Sequence, residues 1–334
     1  MSVTINTGAG SPHARLLGVG GYRPSRVVSN AEICERIDSS DEWIRTRSGI
    51  IERRWAEPHE TVQMMSVAAG RKAIERAGIT PAQLDCVIVA TVSHLMQTPA
   101  IAPKISDDLG ATPAAAFDIS AACAGFCYGI SLGSDMVRSG SAKYVLAIGV
   151  ERLSDITDRD DRSTAFIFAD GAGAAVVGPA DEEGIGPVAW GADGTKFDLI
   201  RQREMWPAVL ELDPPTMPHL RMDGNPVFRW ASFEMAKVAQ EAMDRAGITA
   251  ADLDVFIPHQ ANMRITDAMA RALKLPESIV IARDISHQGN TSAASIPLAT
   301  EALLESGQAK SGDVALLIAF GAGLAYAGQV IRLP

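Results

Sequence analysis

The sequence predicts a layered α/β protein built from two copies of one unit. Two observations predict it. Helix-like and strand-like segments alternate, and the strand-like ones (residues 86–91, 144–149, 254–258 and 314–319) are apolar runs, as in strands buried on both faces. Residues 76–88 (RAGITPAQLDCVI) also return as residues 245–257 (RAGITAADLDVFI), 169 positions later, with nine of thirteen residues identical.

Each copy reads as a helix end, a glycine stop, a short loop and a buried strand. Gly78 and Gly247 fit the left-handed position that closes a helix, and Thr80 and Thr249 suit the start of the next turn. Further on, helices end at Ser139-Gly140 and Ser306-Gly307, 167 positions apart. Counting back at that spacing pairs Cys123 with Asn290, each where a loop enters a helix. The expected organisation is a loose Gly/Ser/Thr-rich tail over 1–14, an N-terminal half over 15–180 and a C-terminal half over 181–334. The site should lie where matching loops of the two halves meet. Residues 314–331 carry no charge and approach the length of a membrane span. Gly321, Gly323 and Gly328 interrupt them, so they read as two buried strands around a glycine turn.

The 334 residues are 47% hydrophobic and 21% charged, ordinary for a packed globular protein. A net charge of −10 argues against a nucleic-acid partner, which would need a basic face. Arg45, Arg47, Arg53 and Arg54 are a local exception, readable as a salt-bridged surface or as an anion site. The tail does not read as a signal peptide, so the four cysteines are not expected to form disulfides, and the expected location is cytoplasmic. Cys123 and Cys127 lack a second pair at ligand spacing, so no metal site is expected.

Cys123 lies in DISAACAGFCYG among small residues that let a carbonyl approach. A thiol at a helix N-terminus feels the positive end of the dipole, which should lower its pKa and favour the thiolate. Cys127, one turn on, reads as a core residue. His259, in IPHQANMRI, follows a buried strand, and its counterpart in the first copy is Ala90. A polar residue that breaks the repeat is a functional candidate. Asn290 lies in HQGNTSAASIP, again beside glycine and small residues, whereas nearby His287 is not expected to be catalytic. The turn in FGAGLAYAG (320–328) can point N–H groups into a cavity. GAGAAVVG (171–178) and GVGGYRP (18–24) lack the strand–loop–helix order of a dinucleotide site and read as tight packing.

From about Ala14 to Pro334, the chain resembles the β-ketoacyl-acyl carrier protein synthases III of the thiolase superfamily. The resemblance rests on DSSDEWIRTRSGI, CAGF, DGAGAAVVG, PHQAN, GNTSAAS and FGAG, in that order. It implies a thiolase-like, duplicated, five-layered α/β/α/β/α fold with pseudo-twofold halves. It also implies a homodimer that needs no cofactor and takes acyl-CoA and malonyl-acyl carrier protein as substrates, with no membrane partner. Cys123, His259 and Asn290 match the family's triad. Backbone N–H groups of Cys123 and Ala322 match the oxyanion hole, with Ala322 standing where the family often has glycine. Trp43 and Arg162 match the residues that sandwich the CoA adenine. Arg47 matches a phosphate contact, Ser39 a further CoA contact, Gly224 the CoA channel wall and Asn262 the tunnel lining. Arg264 matches a basic residue that meets the carrier protein, with Arg229, Arg271 and Lys274 as possible neighbours. Thr98 matches the gate of the acyl pocket contributed by the partner subunit, and it is smaller than the Phe of some relatives.

The implied reaction loads an acyl group onto Cys123 and condenses it with malonyl-acyl carrier protein as CO2 leaves. Fatty-acid initiation and the priming of an aromatic polyketide with a non-acetate starter would use the same residues, so both stay open. A degradative thiolase would need a second cysteine in residues 319–328, which hold none. An O-acyltransferase relative would typically depart from the His–Asn pair, and a scaffold subunit would typically lose the nucleophile; this chain keeps all three residues.

Overall fold

The computed structural model describes residues 3, 5 and 8–334. Met1, Ser2, Thr4, Asn6 and Thr7, within the expected tail, lie outside the described residues. At its C-terminal end that expectation is corrected. His13 and Ala14 already belong to the strand His13–Tyr22, and Ser11 N–H donates to Val137 O at 3.1 Å.

Two five-stranded sheets share one strand order. The first runs His13–Tyr22, Asp170–Ala180, Val145–Arg152, Cys86–Ala90, Ala115–Ile119. The second runs Ala189–Ala192, Ala325–Arg332, Val314–Gly321, Val255–Pro258, Val280–Ile281. In each sheet neighbours among the first three strands are antiparallel, and the last three strands are parallel. Cys86–Ala90 and Val255–Pro258 are buried along their whole length, which accounts for their apolar runs. The uncharged 314–331 segment forms the adjacent strands Val314–Gly321 and Ala325–Arg332. No described helix is long and apolar enough to cross a membrane.

The helices Gly125–Ser139 and Ser295–Glu305 lie between the sheets, where Phe126, Ile130, Ile296 and Leu303 join strand residues of both sheets in one core. Val62–Arg76 and Ala102–Leu109 cover the outer face of the first sheet. Gly224–Ala246 and Met263–Ala272 cover the outer face of the second. The result is five layers. A separate cluster, including Ile44, Trp55, Leu153 and Phe166, forms a cap beside them.

Both glycine stops lie at positive φ, +67° at Gly78 and +71° at Gly247, as the repeat predicts. Both glycine-rich runs lie in strands, and both serve packing. Gly18 and Gly20 sit against the Val62–Arg76 helix, and Gly173 against Pro297.

The pairing of Cys123 with Asn290 is corrected. Each central helix is entered through a short 3-10 turn, Ala122–Ala124 in one half and Ser292–Ala294 in the other. The first residue of each turn has the same unusual backbone, φ +46° at Ala122 and +49° at Ser292. Ala122 therefore matches Ser292, which pairs Cys123 with Ala293 and leaves Asn290 opposite Ser120. The Gly125–Ser139 helix has 15 residues and the Ser295–Glu305 helix 11. Counting back from the helix ends transfers this length difference to the helix starts.

Candidate active site

Cys123 occupies the Ala122–Ala124 turn, which packs on the end of the Val314–Gly321 strand. Gly321 permits that approach, because a Cβ there would lie 2.5 Å from Cys123 N. Ala322 follows directly. The positive φ of this loop falls on Gly323, at +130°, and Ala322 is not among the residues with positive φ. Its methyl group is therefore accommodated and its N–H retained.

The expected lowering of the thiol pKa is corrected. Cys123 is partly exposed as a residue, but its sulfur is enclosed by protein. That desolvation pushes the thiol up to about 12, although Ser292 stabilises the ionised form; the charge of Glu151 adds to the rise. Cys127 is buried and unpartnered, a core residue as expected.

His259 follows the Val255–Pro258 strand and is only 2% exposed. Its backbone N–H donates to Ile318 O at 2.7 Å, and its ring meets the edge of Phe320. Desolvation pushes the imidazole down to about 3, so it is neutral. Nδ1 lies 2.7 Å from Ser295 Oγ, which already accepts from Gln260 N–H at 3.3 Å. With Ser295 Oγ donating to Nδ1, the ring proton of the neutral imidazole sits on Nε2. Nε2–H has no protein acceptor among the described residues.

Asn290 is held by its backbone between Ile167 O, which accepts its N–H at 3.0 Å, and the Ala169 N–H, which donates to its carbonyl at 2.9 Å. Its Oδ1 accepts from Ser292 N–H at 2.9 Å. Nδ2 is left as a donor with no protein acceptor among the described residues. His259 is thus tied to Ser295, Asn290 to Ser292, and the turn that carries Cys123 packs against the turn that begins at Ser292. The first turn of one central helix gathers all three. Ser292 and Ser295 were missed as site residues, although both stand in the quoted GNTSAAS. His287 pairs with Glu52 at 3.4 Å, away from this cluster.

The cap carries an aromatic and cationic cluster. Trp43 has the Arg162 guanidinium 4.8 Å and that of Arg47 5.8 Å from its ring centroid, and Phe166 at its edge. Arg162 Nε donates to Asp38 O. Ser39 Oγ is buried without a partner. The four-arginine stretch divides by role. Arg45 pairs with Asp41 at 2.8 Å, Arg53 is fully buried on Val28 O, Asn30 Oδ1 and Phe166 O, and Arg54 holds Pro24 O. Arg47 has no carboxylate partner among the described residues. Asn262 uses both ends of its side chain, Oδ1 on Arg264 N–H and Nδ2 on Arg47 O, each at 2.9 Å. It caps one helix and ties the cap to the second half. Gly224 lines a cleft of about 710 Å³ with Ser163, Arg201, Arg203 and Arg221.

A second groove, about 470 Å³, runs between the two outer helices of the second half. Arg229, Arg264, Arg271, Phe228 and Phe233 line it, and Lys274 does not. None of the three arginines has a carboxylate within 4 Å among the described residues. Arg264 stacks 4.7 Å from the Phe228 ring centroid, and Phe233 is 67% exposed. Thr98 lies in an exposed loop beside exposed Leu95 and Met96. Among the described residues, no group of three or more His, Cys, Asp or Glu could hold a metal ion.

Residues 117–194 match the family model for 3-oxoacyl-[acyl-carrier-protein (ACP)] synthase III, and residues 243–333 match its C-terminal model. Over 330 residues the chain is 61% identical to the β-ketoacyl-[acyl-carrier-protein] synthase III of Streptomyces glaucescens, covering 99% of each. It is 59% identical to β-ketoacyl-[acyl-carrier-protein] synthase III 1 of Streptomyces coelicolor, again over 99% of each. The chain belongs to the β-ketoacyl-acyl carrier protein synthase III family. Its fold overlays the crystal structure of the priming β-ketosynthase of the R1128 polyketide pathway with a TM-score of 0.96, at 48% identity, covering 100% of this chain and 99% of that one. The 3-oxoacyl-[acyl-carrier-protein] synthase III of Aquifex aeolicus overlays at 0.88 and 37% identity, covering 96% and 99%. The family membership and the thiolase-like fold expected from the sequence are both upheld.

Proposed function

We propose that Cys123 takes an acyl starter from acyl-CoA and that the acyl-enzyme condenses with malonyl-acyl carrier protein, with loss of CO2, to give a β-ketoacyl thioester. The observation that carries this reading is the pair of unspent donors, His259 Nε2–H and Asn290 Nδ2–H, anchored on the same helical turn that the thiol neighbours. As CO2 leaves the malonyl group, negative charge builds on its thioester oxygen. Two fixed donors in a dry site stabilise that enolate without metal or reductant. Neutral His259 suits the task, because it donates without competing as an acid. In the loading step, the N–H groups of Cys123 and Ala322 receive the tetrahedral oxyanion, and CoA departs.

CoA enters past Trp43, with Arg162 and Trp43 stacking the adenine, Arg47 and Ser39 contacting the phosphate end, and Gly224 and Asn262 bordering the channel. The Arg162 guanidinium now occupies the face of Trp43 and must swing aside for the base. Thr98, with its apolar neighbours Leu95 and Met96, closes the acyl pocket of a partner subunit in a homodimer. The reaction is cytoplasmic, needs no metal or cofactor, and involves neither nucleic acid nor membrane.

Fatty-acid initiation is the reading we adopt, supported by the curated relatives named above. Polyketide priming is the second reading, favoured by the likeness to the R1128 enzyme and by the small gate residue. Intact-mass measurement after incubation with acetyl-, isobutyryl- and longer acyl-CoAs tests both. An acyl adduct that disappears in Cys123→Ala is expected, and its preferred chain separates the pathways. No adduct from any donor would overturn the reading.

The acidic carrier protein docks on the Arg229, Arg264 and Arg271 groove, where unpaired cations meet an exposed aromatic ring on an otherwise acidic chain. Arg264→Glu is expected to raise the apparent KM for the carrier substrate by roughly tenfold or more, because a like charge replaces a complementary one. Acyl-CoA loading should not change. An unaltered KM would remove Arg264 from the docking surface.

A further inference from the structure

Glu151 is fully buried on the Val145–Arg152 strand, and the reaction described above leaves it unused. It has no cationic partner among the described residues. Its carboxyl group instead collects hydrogen bonds. Ser93 Oγ donates to Oε2 at 2.5 Å, Thr91 Oγ1 at 3.3 Å and Val92 N–H at 3.1 Å. Val92 N–H also reaches Oε1 at 3.3 Å, and Ser292 Oγ donates to Oε1 at 3.1 Å. Burying a carboxylate without a cation is costly, and the fold has kept one behind the nucleophile.

The duplication shows how particular this arrangement is. Sheet register pairs Cys86 with Val145 in one half and Val255 with Ala315 in the other, so Glu151 corresponds to Gly321. Ser292 corresponds to Ala122, as their shared backbone shows. The Ser292–Ala294 turn packs on the Glu151 strand as the Ala122–Ala124 turn packs on the Gly321 strand. The fold therefore closes this corner with glycine and alanine in one half and with an acid and a hydroxyl in the other. The polar pair is the one on the thiol's side, since the Ser292–Ala294 turn packs against the Ala122–Ala124 turn that carries Cys123, and Ser292 favours the ionised thiol.

We propose that Glu151, acting through Ser292, takes up the proton of the Cys123 thiol as acyl-CoA is attacked. Ser292 Oγ passes its proton to Glu151 Oε1 and receives the thiol proton in the same movement. The sulfur then forms its bond to the thioester carbon, and the bond from that carbon to the CoA sulfur breaks. The departing CoA thiolate recovers the proton from Glu151 along the same path, which restores the carboxylate. Glu151 touches neither substrate nor sulfur, so it is a positioning and proton-holding residue. The proposal rests on the assignment of Cys123 as nucleophile. Burial raises the Glu151 carboxyl to about 7, where a carboxylate can both accept and return a proton near neutrality.

Other titratable groups lie around it. Arg152 and Asp155 pair at 3.3 Å beyond the strand end, Asp170 stands opposite Arg152 on the next strand, and His94 follows Ser93. Asp170 is itself raised to about 6 by desolvation. The test must separate Glu151 from these groups.

Single-turnover loading from acetyl-CoA should be followed across neutral pH in the whole protein, with iodoacetamide alkylation of Cys123 in parallel. Wild-type loading is expected to fall as pH drops through about 7, because the protonated carboxyl can accept nothing. Glu151→Gln should load about 10²-fold more slowly and lose that step, and Ser292→Ala should do the same. The double variant should be no slower than either single one, since both break one path. Decarboxylation of the malonyl substrate should hold its wild-type rate in Glu151→Gln, which a general collapse of the site would not allow. Glu151→Asp, which keeps the carboxyl, should retain the step. A different outcome follows if Glu151 only burdens the thiol with negative charge: Glu151→Gln would then alkylate faster than wild type, overturning the proposal. A step that persists in Glu151→Gln belongs to a neighbouring group and would overturn it as well. An adduct that persists in Cys123→Ala would instead remove the nucleophile assignment beneath it.

Discussion

Asn290→Asp is expected to lower decarboxylative condensation by about 10²–10³-fold, roughly 3–4 kcal/mol of transition-state stabilisation, while acyl loading from CoA stays near its wild-type rate. The substitution is chosen for its geometry. Asn290 Oδ1 accepts from Ser292 N–H at 2.9 Å, and an aspartate oxygen can keep that bond and the turn it holds. What is lost is the Nδ2–H donor, and a negative charge arrives where the proposed reaction places the enolate oxygen. Asn290→Ala removes donor and acceptor together, so it should match the aspartate variant in condensation and lose some loading as the Ser292 turn loosens. Separate assays check this: intact mass for the acyl-enzyme, and CO2 release from malonyl-acyl carrier protein. Equal losses in both steps for Asn290→Asp would show that Asn290 serves the turn and not the enolate.

The repeat made the layered fold legible. Two copies of a helix stop and buried strand, 169 residues apart, survive because both strands are enclosed on two faces and both stops need a left-handed residue. The same repeat misled at finer scale. Spacing counted from helix ends assumes helices of equal length, and a difference of about one turn moved the partner of Cys123 from Ala293 to Asn290. The thiol pKa was misjudged for a different reason. A helix start is visible in sequence, but the enclosure of the sulfur is a property of packing, and desolvation outweighs the dipole. Glu151 carried a local signal, an acid directly after the apolar run of residues 145–150. Its meaning appears only when Ser292, 141 residues away, is seen bonded to it. The grouping of Arg229, Arg264 and Arg271 likewise needs two helices to be placed side by side.

Gly321→Ala is expected to depress acyl loading about as strongly as Asn290→Asp depresses condensation. The added Cβ would lie 2.5 Å from Cys123 N and 2.9 Å from the Ala122 Cβ, closer than such contacts allow. Neither neighbour is a flexible side-chain end, so the Ala122–Ala124 turn itself must shift. Overpacking of this kind costs about 1–3 kcal/mol, which a two-sheet core of this extent should absorb with a lowered Tm. The catalytic cost is larger than the structural one. In the proposed reaction the turn carries both the nucleophile and its oxyanion N–H, and a displacement of about 1 Å in reacting groups is enough for roughly 10²-fold in rate. His259 and Asn290 are anchored on the other turn, at Ser295 and Ser292, so malonyl decarboxylation should suffer much less than loading. Thermal unfolding, acyl-adduct formation and CO2 release measured on one preparation separate these effects. A folded Gly321→Ala protein that loads at the wild-type rate would show that the turn has room to move, and that the glycine is not what holds Cys123 in place.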